Sequence, residues 1–136
     1  MRCTDKCVFY GFEVVRRELS RTPRNIRFGG AGFRRLLLEN YDLLVGNHSF
    51  ESNFLIESLA HEYMRHYRGG KPAQSLLNDF LIVACASFHD MDIVVSEDRA
   101  TMLSKNALRT YREVNTRTER VGMPRFLTTA ALEALV

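Results

Sequence analysis

The sequence predicts an α/β domain with a mostly parallel sheet flanked by helices, and three observations carry that prediction. Stretches of strand character alternate with stretches of helical periodicity along the chain, the pattern of a parallel layered fold. The run Phe80-Leu81-Ile82-Val83-Ala84-Cys85-Ala86 is too short to span a bilayer and too continuously apolar for a surface helix, so it belongs in a core. Ile93-Val94-Val95 is β-branched throughout, as buried parallel strands are. Ser75 to Asp98 therefore reads as a buried helix feeding a buried strand. In such a layer the helix before a strand starts at the sheet edge where that strand ends. Asp79 and Asp98 are thus expected at one rim.

The elements follow in order. Residues 1–5 are a short lead-in, and Lys6 to Tyr10 reads as a strand broken by Gly11. Phe12 to Ser20 carries Phe12, Val15 and Leu19 at helical spacing, with Glu13 placed to pair Arg17. Thr22-Pro23 ends that helix, because proline disfavours helix in the residue before it. Ile26 to Gly32 reads as a loop, Phe33 to Asn40 as a short helix, and Tyr41 to Val45 as a second strand ended by Gly46-Asn47. Ser52 to Tyr67 is an amphipathic helix with Phe54, Leu55, Leu59, Tyr63 and Met64 on one broad face. Arg68-Gly69-Gly70-Lys71-Pro72 stops it. After the buried helix and strand, Ala100 to Thr116 reads as a helix with Met102 or Leu103, Ala107, Tyr111 and Val114 inward. Phe126-Leu127 is a last short strand, and Thr128-Thr129 caps a terminal helix over Ala130 to Leu135.

A chain of 136 residues, 46% apolar and 26% charged, is sized for one globular domain over residues 1–136 that needs no disulfide or metal as a staple. No apolar leader is visible at the N-terminus and no stretch reaches membrane-spanning length, so no membrane partner is expected. The three cysteines have neither redox nor zinc spacing: three residues separate Cys3 from Cys7, and Cys85 lies in the apolar helix. A reducing cytoplasm is the expected setting. The net charge of +3 is unevenly spread: residues 1–35 sum to +6, residues 36–98 to −7 and residues 99–136 to +4. Such a distribution suits an acidic site flanked by cationic surface, as a polyanion held at a metal-bearing pocket requires. It equally suits ordinary solvated charge.

Several motifs fall away on spacing. His61 and His66 stand at i,i+5, about 140° apart around a helix, where a zinc-protease helix needs i,i+4. Phe28-Gly29-Gly30-Ala31-Gly32 and Arg68-Gly69-Gly70-Lys71 match no phosphate-loop pattern and read as turns. The acids are more informative. Asp79 lies near a helix start, where the dipole stabilises a carboxylate, and Asn78 or Ser75 is placed to cap. Asp98 follows Val94-Val95-Ser96, where open α/β sheets present ligands. Glu18 lies about two turns into the first helix, between the apolar Val15 and Leu19. Converging carboxylates without a basic partner repel one another unless they hold a hard divalent cation, and Mg²⁺ or Mn²⁺ prefers oxygen ligands.

Asp79-Phe-Leu-Ile-Val-Ala-Cys-Ala followed by Asp92-Ile-Val-Val-Ser-Glu-Asp98 resembles the later half of the PIN-domain family, D-x-x-I-x-A-x-A then a strand and [TS]-x-D. Val8 to Leu19 is similar to that family's second strand and its helix ending in E-L, and Phe126-Leu-Thr-Thr-Ala-Ala-Leu to its closing strand and capped helix. The resemblance implies a three-layer domain with a mostly parallel central sheet, acting as a Mg²⁺- or Mn²⁺-dependent ribonuclease. Carried over by match, Glu18, Asp79 and Asp98 are the metal ligands and catalytic acids, with Ser96 supporting. Arg16, Arg17 and Arg99 are the expected contacts to RNA. One departure stands out, since only 17 residues precede Glu18 and the family's first strand and its aspartate lie further ahead. That strand is missing, or compressed so that Asp5 serves in its place. The resemblance also leaves open a non-catalytic domain that binds RNA or protein, the toxin of a toxin–antitoxin pair, and a homodimer.

Overall fold

The computed structural model describes residues 7–135 and shows a mixed α/β chain. The chain divides into two compact units, Cys7–Ser52 and the residues from Asn53 onward. Asp5 and Lys6 lie outside the described residues.

In the first unit, strand β1 (Gly11–Phe12) leads into helix α1 (Glu13–Ser20). A two-residue hairpin, β2 (Arg27–Phe28) with β3 (Ala31–Gly32), precedes helix α2 (Phe33–Val45) and strand β4 (Ser49–Phe50). β1 and β4 pair in parallel, and β2 and β3 antiparallel. Gly29 and Gly30 turn the hairpin at φ 59° and 84°, the conformation that a tight two-residue turn demands and glycine adopts without penalty. The segment expected to be a plain loop is therefore a minimal hairpin. The Tyr41 hydroxyl accepts from the Phe12 N–H at 3.0 Å, and a Cβ on Gly11 would run into that hydroxyl. Glycine at 11 admits the strand rather than breaking it. Across α1 and α2, the Arg16 guanidinium grips Asp42 with two bonds of 2.9 Å.

Two expectations fail in this unit. Tyr41 to Val45 is the end of α2, not a strand, because nothing after Phe33 breaks a helix until Gly46 at φ 59°. Residues 7–10 are not in a strand; the pairing falls on Gly11–Phe12, the two positions that have partners in Ser49 and Phe50. A strand is defined by its neighbour, and the short polar neighbour Ser49–Phe50 gives no periodic signal of its own.

The second unit begins with helix α3 (Phe54–His66), capped by the Asn53 side chain, which accepts from the Ile56 N–H at 2.9 Å. Its buried residues are Ile56, Leu59, Ala60 and Tyr63. Phe54 and Leu55 instead stand 79% and 56% exposed, so the expected apolar face is rotated. Ile56 sets the stripe at i, i+3, i+4 and i+7, and Phe54 and Leu55 fall off it. A 3₁₀ turn (Ala73–Leu76) runs directly into helix α4 (Leu77–Phe88). Neither Asn78 nor Ser75 caps α4: the 3₁₀ turn already takes up the Leu77 N–H, and the Ser75 hydroxyl donates to the Pro72 carbonyl.

Strand β5 (Ile93–Val95) pairs in parallel with β6 (Arg125–Leu127), and helix α5 (Lys105–Arg117) joins them as a βαβ unit. Helix α6 (Thr129–Leu135) closes the chain, with the Thr128 hydroxyl accepting from the Ala131 N–H. Met102, Ala107, Tyr111 and Val114 are buried, as their spacing predicts, although α5 starts at Lys105 and Ala100 to Ser104 is a turn. Among the described residues the strands form three separate pairs, two of them parallel.

The core of this unit is aromatic. Tyr63, Phe80 and Tyr111 meet edge to face with centroids 5.2–6.0 Å apart, and Phe126 stacks on Tyr111 at 5.3 Å. The Tyr63 hydroxyl donates to Asn115 Oδ1 at 2.6 Å, while Asn115 Nδ2 donates to the Ser87 hydroxyl and the Gly122 carbonyl. This satisfied network fixes α3, α4 and α5 to one another. Asn115→Ala strands the buried Tyr63 and Ser87 hydroxyls, and is expected to lower unfolding stability by about 2–4 kcal/mol in urea denaturation, against about 0.5 kcal/mol or less for an exposed polar position.

Candidate active site

β5 ends at Val95, and each of the next three residues has a local partner. The Ser96 N–H donates to the Leu127 carbonyl at 3.0 Å, extending the β5–β6 ladder by one step. The Ser96 hydroxyl accepts from the Asp98 N–H at 3.0 Å. Glu97 accepts from the Thr129 N–H at 2.6 Å and anchors the start of α6; those bonds to Thr129 hold its carboxyl below the usual range. Asp98 caps the turn that follows: its Oδ1 accepts from the Thr101 N–H at 3.0 Å, and its Oδ2 accepts from the Thr101 hydroxyl. Its backbone carbonyl accepts from the Leu103 N–H at 2.9 Å. The Thr101 hydroxyl depresses the Asp98 pKa most, joined by the Thr101 and Ala100 N–H groups and the positive charge of Lys71.

Asp79 lies in the first turn of α4, half-buried, where the helix dipole favours a carboxylate. Tyr111 relates it to Asp98. Burial is the main cause that pushes the Tyr111 phenol upward; the Asp79 carboxylate comes next, then Tyr63, then Asp98. Two carboxylates from opposite ends of the helix–strand segment thus bear on one buried phenol. The phenol itself donates to the Met102 carbonyl at 3.1 Å, inside the turn that Asp98 caps.

Glu18 is exposed on α1, one turn beyond the buried Val14, and belongs to the other compact unit. Asp5 lies outside the described residues. Of the expected cationic contacts, Arg16 is held by Asp42 and Arg17 lies 3.6 Å from Glu13, the i,i+4 pair read from the sequence. Arg99 is exposed beside Glu97, on whose carbonyl its N–H bonds. Cys85 is buried and its thiol is pushed up to about 12, as befits a core residue rather than a nucleophile.

Among the described residues no group of three or more His, Cys, Asp or Glu side chains gathers as a metal cage. The Asp79–Asp98 pair nevertheless has the donor chemistry of a Mg²⁺ site, since that ion keeps several waters and takes one or two carboxylates together with substrate phosphate. Tyr111, Thr101 and Lys71 were missed as neighbours of these acids. The Asp98-x-x-Thr101 spacing signals a capped turn; the proximity of Tyr111 and Lys71 has no signal in sequence. No family model, curated protein or solved structure matches this chain.

The sign of the Asp98 shift sets a pH dependence. A carboxyl whose folded pKa lies below its ordinary 3.8 contributes stability above that value and loses it as pH falls through the lowered one. Asp98→Asn keeps an acceptor for the Thr101 N–H but cannot titrate. Thermal melts between pH 5 and 2 are expected to fall less steeply for the variant; parallel curves would remove Asp98 from the acid limb.

Proposed function

We propose that this chain is a PIN-type, Mg²⁺- or Mn²⁺-dependent ribonuclease acting in the cytoplasm, built as a three-layer domain. The observation that carries the reading is that Asp79, in the first turn of α4, and Asp98, in the turn after β5, both push the buried Tyr111 phenol upward. Asp79 and Asp98 would hold the cation. Bound there, the ion would supply an activated water and offset charge on the phosphodiester. Thr101 and Ser96 fix the orientation of Asp98, one through its carboxylate and one through its N–H. Lys71 brings a positive charge beside Asp98, suited to a scissile phosphate. The Tyr111 proton is committed to the Met102 carbonyl, so the phenol shapes the field of the site rather than transferring a proton.

Asp98 also favours a second reading, a domain that binds RNA without cutting it. Both its oxygens already accept from Thr101 and a lysine lies near, which is a self-sufficient structural arrangement. Asp79→Asn and Asp98→Asn separate the two. If the chain is a nuclease, each variant loses Mn²⁺-dependent cleavage of single-stranded RNA by more than the roughly 10–100-fold that loss of a supporting residue costs, while circular dichroism shows the fold retained. Undiminished cleavage by Asp98→Asn would remove Asp98 from the site; no cleavage by the unaltered chain with either metal would leave the binding reading standing.

A further inference from the structure

We infer that the outer ridge of α5, carrying Lys105, Arg109 and Arg112, is a docking surface for the backbone of single-stranded RNA. The choice of polyanion rests on the nuclease reading; the surface itself rests on the following observations. At 100° per residue, positions 105, 109 and 112 fall within about 60° of one another, on the side opposite the buried Ala107, Thr110, Tyr111 and Val114. All three cations are exposed, and among the described residues none forms an ion pair. Glu113, the one acid on α5, stands one turn from Arg109 without pairing to it. Arg16, Arg17, Arg35 and Arg65, by contrast, all have carboxylate partners.

Stability alone does not explain the ridge. Lys105 opens the helix, where the dipole disfavours a cation, and the first turn carries no acid. Lys105 and Arg109 at i,i+4, and Arg109 and Arg112 at i,i+3, repel one another. A ridge of like charge at one-turn spacing is costly to the free helix and complementary to a chain of phosphates. It is also continuous with the candidate site, because the turn capped by Asp98 runs through Ser104 directly into Lys105, with the exposed Arg99 at its start. RNA lying along α5 would therefore lead toward Asp98. An acidic protein segment meets the same charge but gives no reason for the ridge to start at the carboxylate pair.

The test is fluorescence anisotropy of a mixed-sequence single-stranded RNA oligomer against the full chain in EDTA, so that binding is read without cleavage. In Lys105→Gln/Arg109→Gln/Arg112→Gln, glutamine keeps helix propensity, and circular dichroism verifies the fold. Loss of three phosphate contacts is expected to flatten the log–log salt slope by about 2 and weaken binding about 100-fold near 0.1 M salt. Arg24→Gln/Arg27→Gln, which removes exposed charge from the first unit, is expected to change the slope less. An unchanged slope in the triple variant, an equal loss in the Arg24/Arg27 variant, or polyglutamate of matched charge binding as tightly as RNA would each overturn the proposal. RNA bound through the ridge without cleavage under Mn²⁺ would sink the nuclease reading alone; cleavage with an unchanged slope would sink the ridge alone.

Discussion

One buried phenol ties the core of the second unit to its candidate chemistry. The Tyr111 ring packs against Tyr63, Phe80 and Phe126, which come from α3, α4 and β6, while its hydroxyl donates to the Met102 carbonyl. Met102 lies in the turn that Asp98 caps, so the aromatic cluster fixes the turn and the turn fixes the carboxylate. A dry hydroxyl needs a partner, and the Met102 carbonyl supplies it at the one place where the chain must also hold Asp98. The position of the acid follows from the packing of the core.

That dependence clarifies what Asp98 does. Its lowered pKa needs no ligand to explain it, because the Thr101 hydroxyl and N–H account for most of the shift. Capping explains nothing about Asp79. A first-turn aspartate gains from the helix dipole wherever it stands, yet this one stands where its charge acts on the same phenol as Asp98. Lys71 adds a positive charge near Asp98 that lowers its pKa further.

Much of this unit was legible in sequence because its signals are local or periodic. The apolar run at Phe80–Ala86 and the β-branched Ile93–Val95 gave helix and strand, and the α5 spacing gave its buried face. The first unit was harder to read, since its elements are defined by partners. Gly11–Phe12 is a strand because Ser49–Phe50 lies beside it, and Tyr41–Val45 is helical because no residue stops α2 before Gly46. Tyr41 to Val45 reads as a strand, yet it is helical and Leu43 and Leu44 are 83% and 48% exposed. Apolar composition measures the gain from burial; it does not say whether the chain brings anything to cover the residue.

The same distinction governs the cations. Summed by segment, the charge of residues 1–35 made Arg16 and Arg17 the natural contacts for RNA, but a side chain's availability depends on what faces it. Arg17 answers to Glu13 one turn away, which the sequence displays; Arg16 answers to Asp42, 26 positions away, which it does not. A bidentate arginine already satisfied by a carboxylate must give up that pair to take a phosphate, and the exchange gains little. Lys105, Arg109 and Arg112 have no such pair to give up. Their attraction for a polyanion is offset by solvent, salt and the single nearby carboxylate of Glu113, so a smaller net charge in residues 99–136 makes the stronger candidate surface.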